Sequence, residues 1–328
     1  MNGLANIAIS VGDPNGIGPE IALKSAERLA LGNRARPLIV GSRIVVDFYA
    51  SALGIRTAWQ DLSELSKRRR KNLEIDCVHV DCFHSTDFSP GVCSAASGRA
   101  CIRYLEAAVR LQQIGTARAT VAAPHNETAI RAAGIEFSGY PSYLQKMLGD
   151  ESEVFLLLVS DKTRVCHVTL HLSLREALER VTKSRVEACL IVADEAIRKM
   201  GVEAPRLGVA GLNPHASEGG LFGSEESNII VPAIERARDR GIDVVGPLGA
   251  DMLFSTREEF DVIIVMFHDQ GHAPMKALYG RNTIALSVGA GLTFASVGHG
   301  SAPDIAGDLT ADPVPLYRAC CGVLGVDI

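Results

Sequence analysis

Three of the nine histidines sit in surroundings that suit chemistry. His171 closes the alternating stretch Arg164–His171, which places His167, Thr169 and His171 on one face of an expected strand. His215 lies in the Gly- and Ser-rich segment GLNPHASEGG (211–220), directly after a second expected strand. His268 ends the apolar run that begins at Asp261 and opens the segment HDQGHAPMK (268–276). In α/β sheets, ligands gather just past the carboxyl ends of strands. Three imidazoles from separate strand ends match an open catalytic zinc site, which needs three protein ligands and one vacant position. Spacing alone equally allows each to be a hydrogen-bonded strand-end residue. Asp269, beside His268, and Asp251, in GADM (249–252), are placed to orient ligating imidazoles or to help hold the ion. His125, His272 and His299 are further candidates for substrate or cofactor contact.

Two loops look built for ligands. GDPNGIGPE (12–20) joins a strand to a helix and can present backbone amides at the helix N-terminus, a tight turn being the lesser alternative. It lacks the G-x-G-x-x-G spacing, so it does not announce a dinucleotide site of the Rossmann type. GHGSAPDIAG (298–307) combines flexible glycines with Asp304, a carboxylate suited to ribose hydroxyls.

The elements that must position these residues alternate between short apolar runs and helical patterns, the mark of an α/β fold with a largely parallel sheet. Strands are expected at Asn6–Val11, Arg36–Ser42, Glu74–Cys82, Ala119–Ala123, Arg206–Leu212, Asp243–Gly246, Asp261–Phe267 and Thr283–Val288, with a hairpin formed by Val154–Ser160 and Arg164–His171. Helices are expected at Gly18–Leu31, where Pro19 suits the first turn, and at Ser97–Ile114, Ser224–Arg240 and Asp312–Leu324. Ser173 and Glu176 form a capping box that opens another helix. A chain of 328 residues is long enough for about two domains, though no linker marks the boundary.

Composition narrows the function. With 33 Lys+Arg against 38 Asp+Glu the net charge is −5, which disfavours nucleic acid as a partner. The one dense basic run, Lys67–Lys71, is expected to be a solvated loop or helix end. Apolar runs are too short to cross a bilayer, and the first ten residues carry no secretory pattern, so a cytoplasmic protein is expected. Eight cysteines without a C-x-x-C pair read as reduced core thiols.

Taken together, GDPNGIGPE (12–20), LNPHASEGG (212–220), GPLGADMLF (246–254), MFHDQG (266–271) and SVGHGSAPDIAG (296–307) resemble the PdxA family, the metal- and NAD-dependent 4-hydroxythreonine-4-phosphate dehydrogenases. The resemblance implies a fold of two α/β domains with an interdomain cleft, like that of isocitrate and isopropylmalate dehydrogenases. One domain would span 1–127 plus 295–328 and carry much of the cofactor site; the other, 128–294, would serve metal, substrate and dimerisation. It further implies a homodimer with shared active sites, and His171, His215 and His268 as ligands of a divalent metal, zinc first. HGSAPDIAG resembles the loop with which isopropylmalate dehydrogenases hold the adenosine of NAD. By that likeness His299, Gly300, Ser301, Ala302, Asp304 and Asp312 would contact the cofactor.

The chain also departs from the pyridoxine-pathway pattern. A Gly-His-Thr-Glu segment that contacts substrate there reads Gly139-Tyr140-Pro141-Ser142 here. Of the Lys, Asn and Arg around the substrate phosphate, the Lys persists as Lys276, while Ala285 and Phe294 stand at the other two positions. Losing a neutral donor and a bidentate cation weakens a phosphate site. PHNETAIRAAGIEFSGYPS (124–142), HVTLHLSLREALER (167–180) and HDQGHAPMKAL (268–278) instead resemble the branch of the family that acts on terephthalate cis-dihydrodiol. That branch implies NAD-dependent oxidative decarboxylation of a small carboxylate substrate to protocatechuate. Tyr140, Pro141, Lys276, Ala285 and Phe294 would then face the substrate, and Lys276, Asp251 and Asp269 would assist catalysis. The competing reading within the family is oxidation of 4-phosphohydroxy-L-threonine or a sugar-acid phosphate. The competing reading outside enzymology is a non-catalytic metal-binding or regulatory protein on an enzyme fold.

Overall fold

The computed structural model of the chain describes residues 4–60, 74–137, 139–149, 153–160, 163–280 and 283–325. The basic run Lys67–Lys71 and the hairpin tip at Asp161 and Lys162 lie outside the described residues, as do the side chains of Pro141 and Ser142.

Among the described residues twelve strands follow one another: β1 (Asn6–Ser10), β2 (Arg36–Gly41), β3 (Thr57–Gln60), β4 (Ile75–His79), β5 (Ala119–Ala122), β6 (Phe155–Ser160), β7 (Thr163–His167), β8 (Arg206–Ala210), β9 (Asp243–Leu248), β10 (Val262–Val265), β11 (Ile284–Gly289) and β12 (Leu292–Ser296). They fall into two compact units. The first comprises Met1–Ser142, Leu292–Val326 and Ile328; the second comprises Tyr143–Gly291 and Asp327.

In the first unit the strand order is β3-β4-β2-β1-β5-β12, and the pairings are parallel. Parallel strands are covered on both faces, so they read as continuous apolar runs. β1 obeys this, with Ile7, Ala8 and Ile9 fully buried. Helices Gly18–Leu31, Ala95–Gln113 and Val314–Leu324 pack on these strands. Ser94 caps the second of them, its hydroxyl accepting from the Ser97 N–H at 3.0 Å. Because the strands run in one direction, the loops after β1 and β5 emerge at one edge.

In the second unit the order is β11-β6-β7-β10-β8-β9, with β6 antiparallel to both neighbours and the rest parallel. Its core gathers Leu158, Val165, Leu253, Phe260, Ile263 and Met275. The capping box appears as expected: the Ser173 hydroxyl accepts from the Glu176 N–H, and Glu176 Oε2 accepts from the Ser173 N–H at 3.1 Å. That helix is short, Leu174–Arg180, and a second one capped by Thr182 follows over Lys183–Lys199.

Three expectations need correction. The strand ends at His167, not His171, so His171 does not share its face with His167. Residues 168 and 169 run past the ladder to β6 but still follow β10, which β7 already pairs in parallel, with Val168 N–H donating to Val265 O at 2.8 Å and Thr169 N–H to Met266 O at 3.1 Å. His268 belongs to a helix, His268–Tyr279, as its first residue. The cysteines are all free thiols, but Cys93 is exposed and Cys82 half-buried, so not all of them are core. No described helix is long and apolar enough to cross a membrane.

Candidate active site

The second unit holds a column of imidazoles. The bonds from residues 168 and 169 to the end of β10 bring the exposed His171 ring to 5.6 Å from that of His268. Burial first, and then the neighbouring His268, lower the His171 pKa, which favours the neutral ring that metal ligation requires. His268 Nδ1 lies 2.6 Å from Asp269 Oδ1, and its ring stacks on His272 at 3.8 Å, 7° from parallel. His272 Nδ1 in turn lies 3.1 Å from Nε2 of the buried His167. Desolvation drives the His167 pKa down to about 3 and is also the largest cause lowering His272 to about 4, so both rings are neutral at pH 7. Lys276 continues the helix face that carries His268 and His272.

His215 arrives by a different device. Residues 215–218 all have positive φ, from 42° to 70°, forming a left-handed turn without a glycine. L-residues occupy that region at a cost of about 1–2 kcal/mol each, and persist there only when neighbours hold them. Buried Glu226 supplies part of that hold: its Oε1 accepts from the N–H of Leu212 (2.8 Å) and of Asn213 (2.7 Å). Gln270 links this loop to the His268 helix, accepting from Met266 N–H and donating to Gly211 O, each at 2.7 Å. His215, Gly249, Asp251, Met252 and Ser255 line a pocket of about 670 Å³.

His171 and His268 therefore fit as paired imidazole donors. Among the described residues no three His, Cys, Asp or Glu side chains converge as a metal group, and His215 sits in the pocket with Asp251 rather than beside the other two. Ala285 is exposed on β11, opposite Leu158 of β6.

The first unit carries the other expected site. The turn after β1 is tied down throughout: the Asp13 N–H donates to Pro124 O at 2.9 Å and the Ile17 N–H to Ser301 O at 2.9 Å. Asn15 donates to Asp87 O and Val92 O and accepts from the Ser89 N–H. Gly16 is required here, because a Cβ would stand 2.5 Å from Ser301 Cβ. Burial raises the Asp13 pKa, and bonds from Asn15, Ser97 and Ser301 pull against that rise. Beyond Ser301, Ala302 has φ 40° and leads into the 3-10 turn Pro303–Ile305 with Asp304 exposed. His299 and Gly300 are close to solvent, with His299 Nδ1 3.1 Å from Gly300 O. Asp312 is exposed and its Oδ1 accepts from the Val314 N–H at 2.9 Å, a capping role toward the last helix. Glu20, the last residue of the GDPNGIGPE motif, and Lys24 pin the same segment at Leu309 and Ala311.

Tyr140 and Phe294 meet at 4.9 Å, both buried, with Phe294 only 1% exposed. Half-buried His125 lies edge-on to Tyr140 and to Phe137, each at 4.9 Å, and burial lowers its pKa against the raising effect of Glu127.

Comparison with known proteins gives a consistent result. The profile of the family described as pyridoxal phosphate biosynthetic protein PdxA matches residues 33–321. The chain is 40% identical over 314 residues to a 1,2-dihydroxy-3,5-cyclohexadiene-1,4-dicarboxylate dehydrogenase from a Comamonas species, covering 95% of each. It is 37% identical over 316 residues to a D-threonate 4-phosphate dehydrogenase from Cupriavidus necator, covering 95% of this chain and 94% of that one. The crystal structure of a terephthalate 1,2-cis-dihydrodiol dehydrogenase from Burkholderia xenovorans superposes with a TM-score of 0.85 at 40% identity, over 98% of both chains.

Proposed function

Because the chain belongs to the PdxA family of dehydrogenases, we propose that it oxidises terephthalate cis-1,2-dihydrodiol to protocatechuate and CO₂ with NAD⁺, as a metal-dependent, decarboxylating homodimer in the cytoplasm. The observation that carries this reading is at Phe294. The position where a phosphate-binding family member would place an arginine is filled by an aromatic ring buried against Tyr140, and the paired position is the methyl side chain of Ala285. Neither offers a donor to a phosphate, whereas a carbocyclic dicarboxylate needs none there.

By the family likeness His171, His215 and His268 would hold the divalent ion, zinc being the ion that three imidazoles suit; His171 and His268 already stand side by side, and His215 would have to be brought to them by its turn. When bound, the ion supplies Lewis acidity toward the substrate oxygens and NAD⁺ accepts the hydride. The chain's own groups do the rest. Asp269 accepts a hydrogen bond from the Nδ1–H of His268 and so leaves the other ring nitrogen free to ligate. Lys276, exposed on the same helix face, pairs with a substrate carboxylate and supplies a proton to the enolate oxygen once CO₂ has left. Asp251, in the wall of the His215 pocket, supports that histidine. His299, Gly300, Ser301, Ala302 and Asp304 hold the adenosine end of NAD⁺, and Asp312 shapes the same segment from its cap. The balance closes: the diol loses two hydrogens as hydride and proton, then CO₂, and the remaining ring is aromatic.

The 37% identity to a D-threonate 4-phosphate dehydrogenase favours a second reading, oxidation of a phosphorylated hydroxy acid. One experiment separates the two. Zinc-loaded protein is mixed with NAD⁺ and, separately, the dihydrodiol, 4-phosphohydroxy-L-threonine and D-threonate 4-phosphate, and NADH absorbance is followed. Turnover of the dihydrodiol with protocatechuate as product is the expected result; turnover of a phosphate ester alone overturns it.

A further inference from the structure

The hydrogens of the imidazole column can be placed from its acceptors. Leu156 O lies 3.3 Å from His167 Nδ1, and a carbonyl only accepts, so that nitrogen carries the hydrogen. His167 is 1% exposed and burial keeps it neutral, which leaves Nε2 bare. The nitrogen 3.1 Å from that bare Nε2 is His272 Nδ1, which must therefore donate. His268 O, 3.2 Å from the same Nδ1, requires the same hydrogen. Two independent acceptors thus agree on a hydrogen at Nδ1, and in that tautomer Nε2 is the lone-pair acceptor.

That acceptor has no evident use in binding the ion assigned to His268. Rings stacked at 3.8 Å and 7° from parallel direct their nitrogens side by side, not toward a common point. Its surroundings suit a substrate. His268, His272 and Lys276 occupy positions i, i+4 and i+8 of one helix, a single stripe that pairs the acceptor with a cation. We propose that His272 is a substrate-contacting residue whose Nε2 accepts a hydrogen bond from a substrate hydroxyl, and that buried His167 is the positioning residue that fixes its tautomer. This rests on the dehydrogenase reading above but holds for either hydroxylated substrate.

The first test needs neither metal nor substrate. Nitrogen-15 spectra of the histidine rings show His272 with hydrogen on Nδ1, and in His167→Phe, where only the His268 carbonyl still accepts from Nδ1, the share of that tautomer falls measurably. The second is kinetic. His272→Phe keeps a flat ring for stacking on His268 but removes the acceptor. It raises the KM of the hydroxylated substrate about tenfold or more, while the KM of NAD⁺ and the zinc affinity measured against a chromophoric chelator stay within about twofold. His167→Phe moves substrate KM in the same direction, and His167→Gln, whose amide oxygen can again accept from Nδ1, recovers it. A wild-type His272 carrying its hydrogen on Nε2 overturns the proposal, as does His272→Phe with unaltered substrate constants. Wild-type protein that oxidises none of the candidate substrates overturns the functional reading instead, and the spectra still decide the tautomer.

Discussion

Glu20 and Lys24 meet at 2.6 Å one turn apart on the helix that follows β1, with the glutamate wholly buried. From this pair the lysine donates to Leu309 O (3.0 Å) and Ala311 O (3.1 Å), while Glu20 Oε1 accepts from the Ala311 N–H (2.8 Å). The first helix thereby holds the segment between Asp304 and Asp312, two residues expected to serve the cofactor.

Lys24→Met leaves a carboxylate buried without its cation. Breaking such a pair costs about 3 kcal/mol, and here it also frees residues 309–311. The expected outcome is a clear drop in stability by urea unfolding and a several-fold rise in the KM of NAD⁺. Lys24→Arg should recover much of both.

Gly16→Ala tests the contact between the two loops of the first unit. The added methyl would meet Ser301 Cβ at 2.5 Å and Ser301 O at 2.7 Å, so Ser301 must move. Overpacking of this kind costs about 1–3 kcal/mol. The NAD⁺ affinity, measured by fluorescence titration of NADH, should fall, while zinc binding in the other unit stays intact.

Acid should weaken the fold partly through His167. Its folded pKa is depressed to about 3, against about 6.5 for a free imidazole. Between those values the unfolded chain binds a proton that the native state refuses, so stability falls as pH drops from 6.5 toward 3. The slope from this residue is about 1.4 kcal/mol per pH unit. Urea unfolding at pH 7, 5.5 and 4.5 should show the gap between wild type and His167→Phe narrowing toward acid. Parallel curves would contradict the assignment.

Metal removal gives the plainest test of the histidine donors. Dialysis against a chelator should abolish NADH formation, and zinc should restore it. His171→Ala and His268→Ala should each weaken zinc binding by at least about tenfold, and so should His215→Ala if that turn delivers the third donor.

Much of this architecture can be read from residue order. Pro19 marks the start of the Gly18–Leu31 helix, and Ser173 with Glu176 marks the short helix that begins at Leu174. Apolar runs give the described strands to within a few residues, except β3 and β12, which are not among the expected ones; a parallel strand buried on both faces has no polar alternation to blur it. What alternation cannot show is where a ladder ends. His171 continues the pattern of β7, but residues 168 and 169 bond to the end of β10, a partner about a hundred positions away. The helical character of 268–279 is masked by Gly271 and Pro274, both poor helix residues. Glu20, Glu226 and Gln270 look like ordinary polar residues in sequence, and only their buried partners reveal them as fasteners.

The left-handed turn at 215–218 has a bearing on how this protein would respond to directed improvement. Glycine relaxes a positive φ at little steric expense, so Ala216→Gly should raise the melting temperature, whereas Ser217 also spends its hydroxyl on Gly223 O. A screen that ranks variants by heat resistance alone would therefore collect glycines here. Each would loosen the turn that presents His215 to its pocket, trading turnover for shelf life.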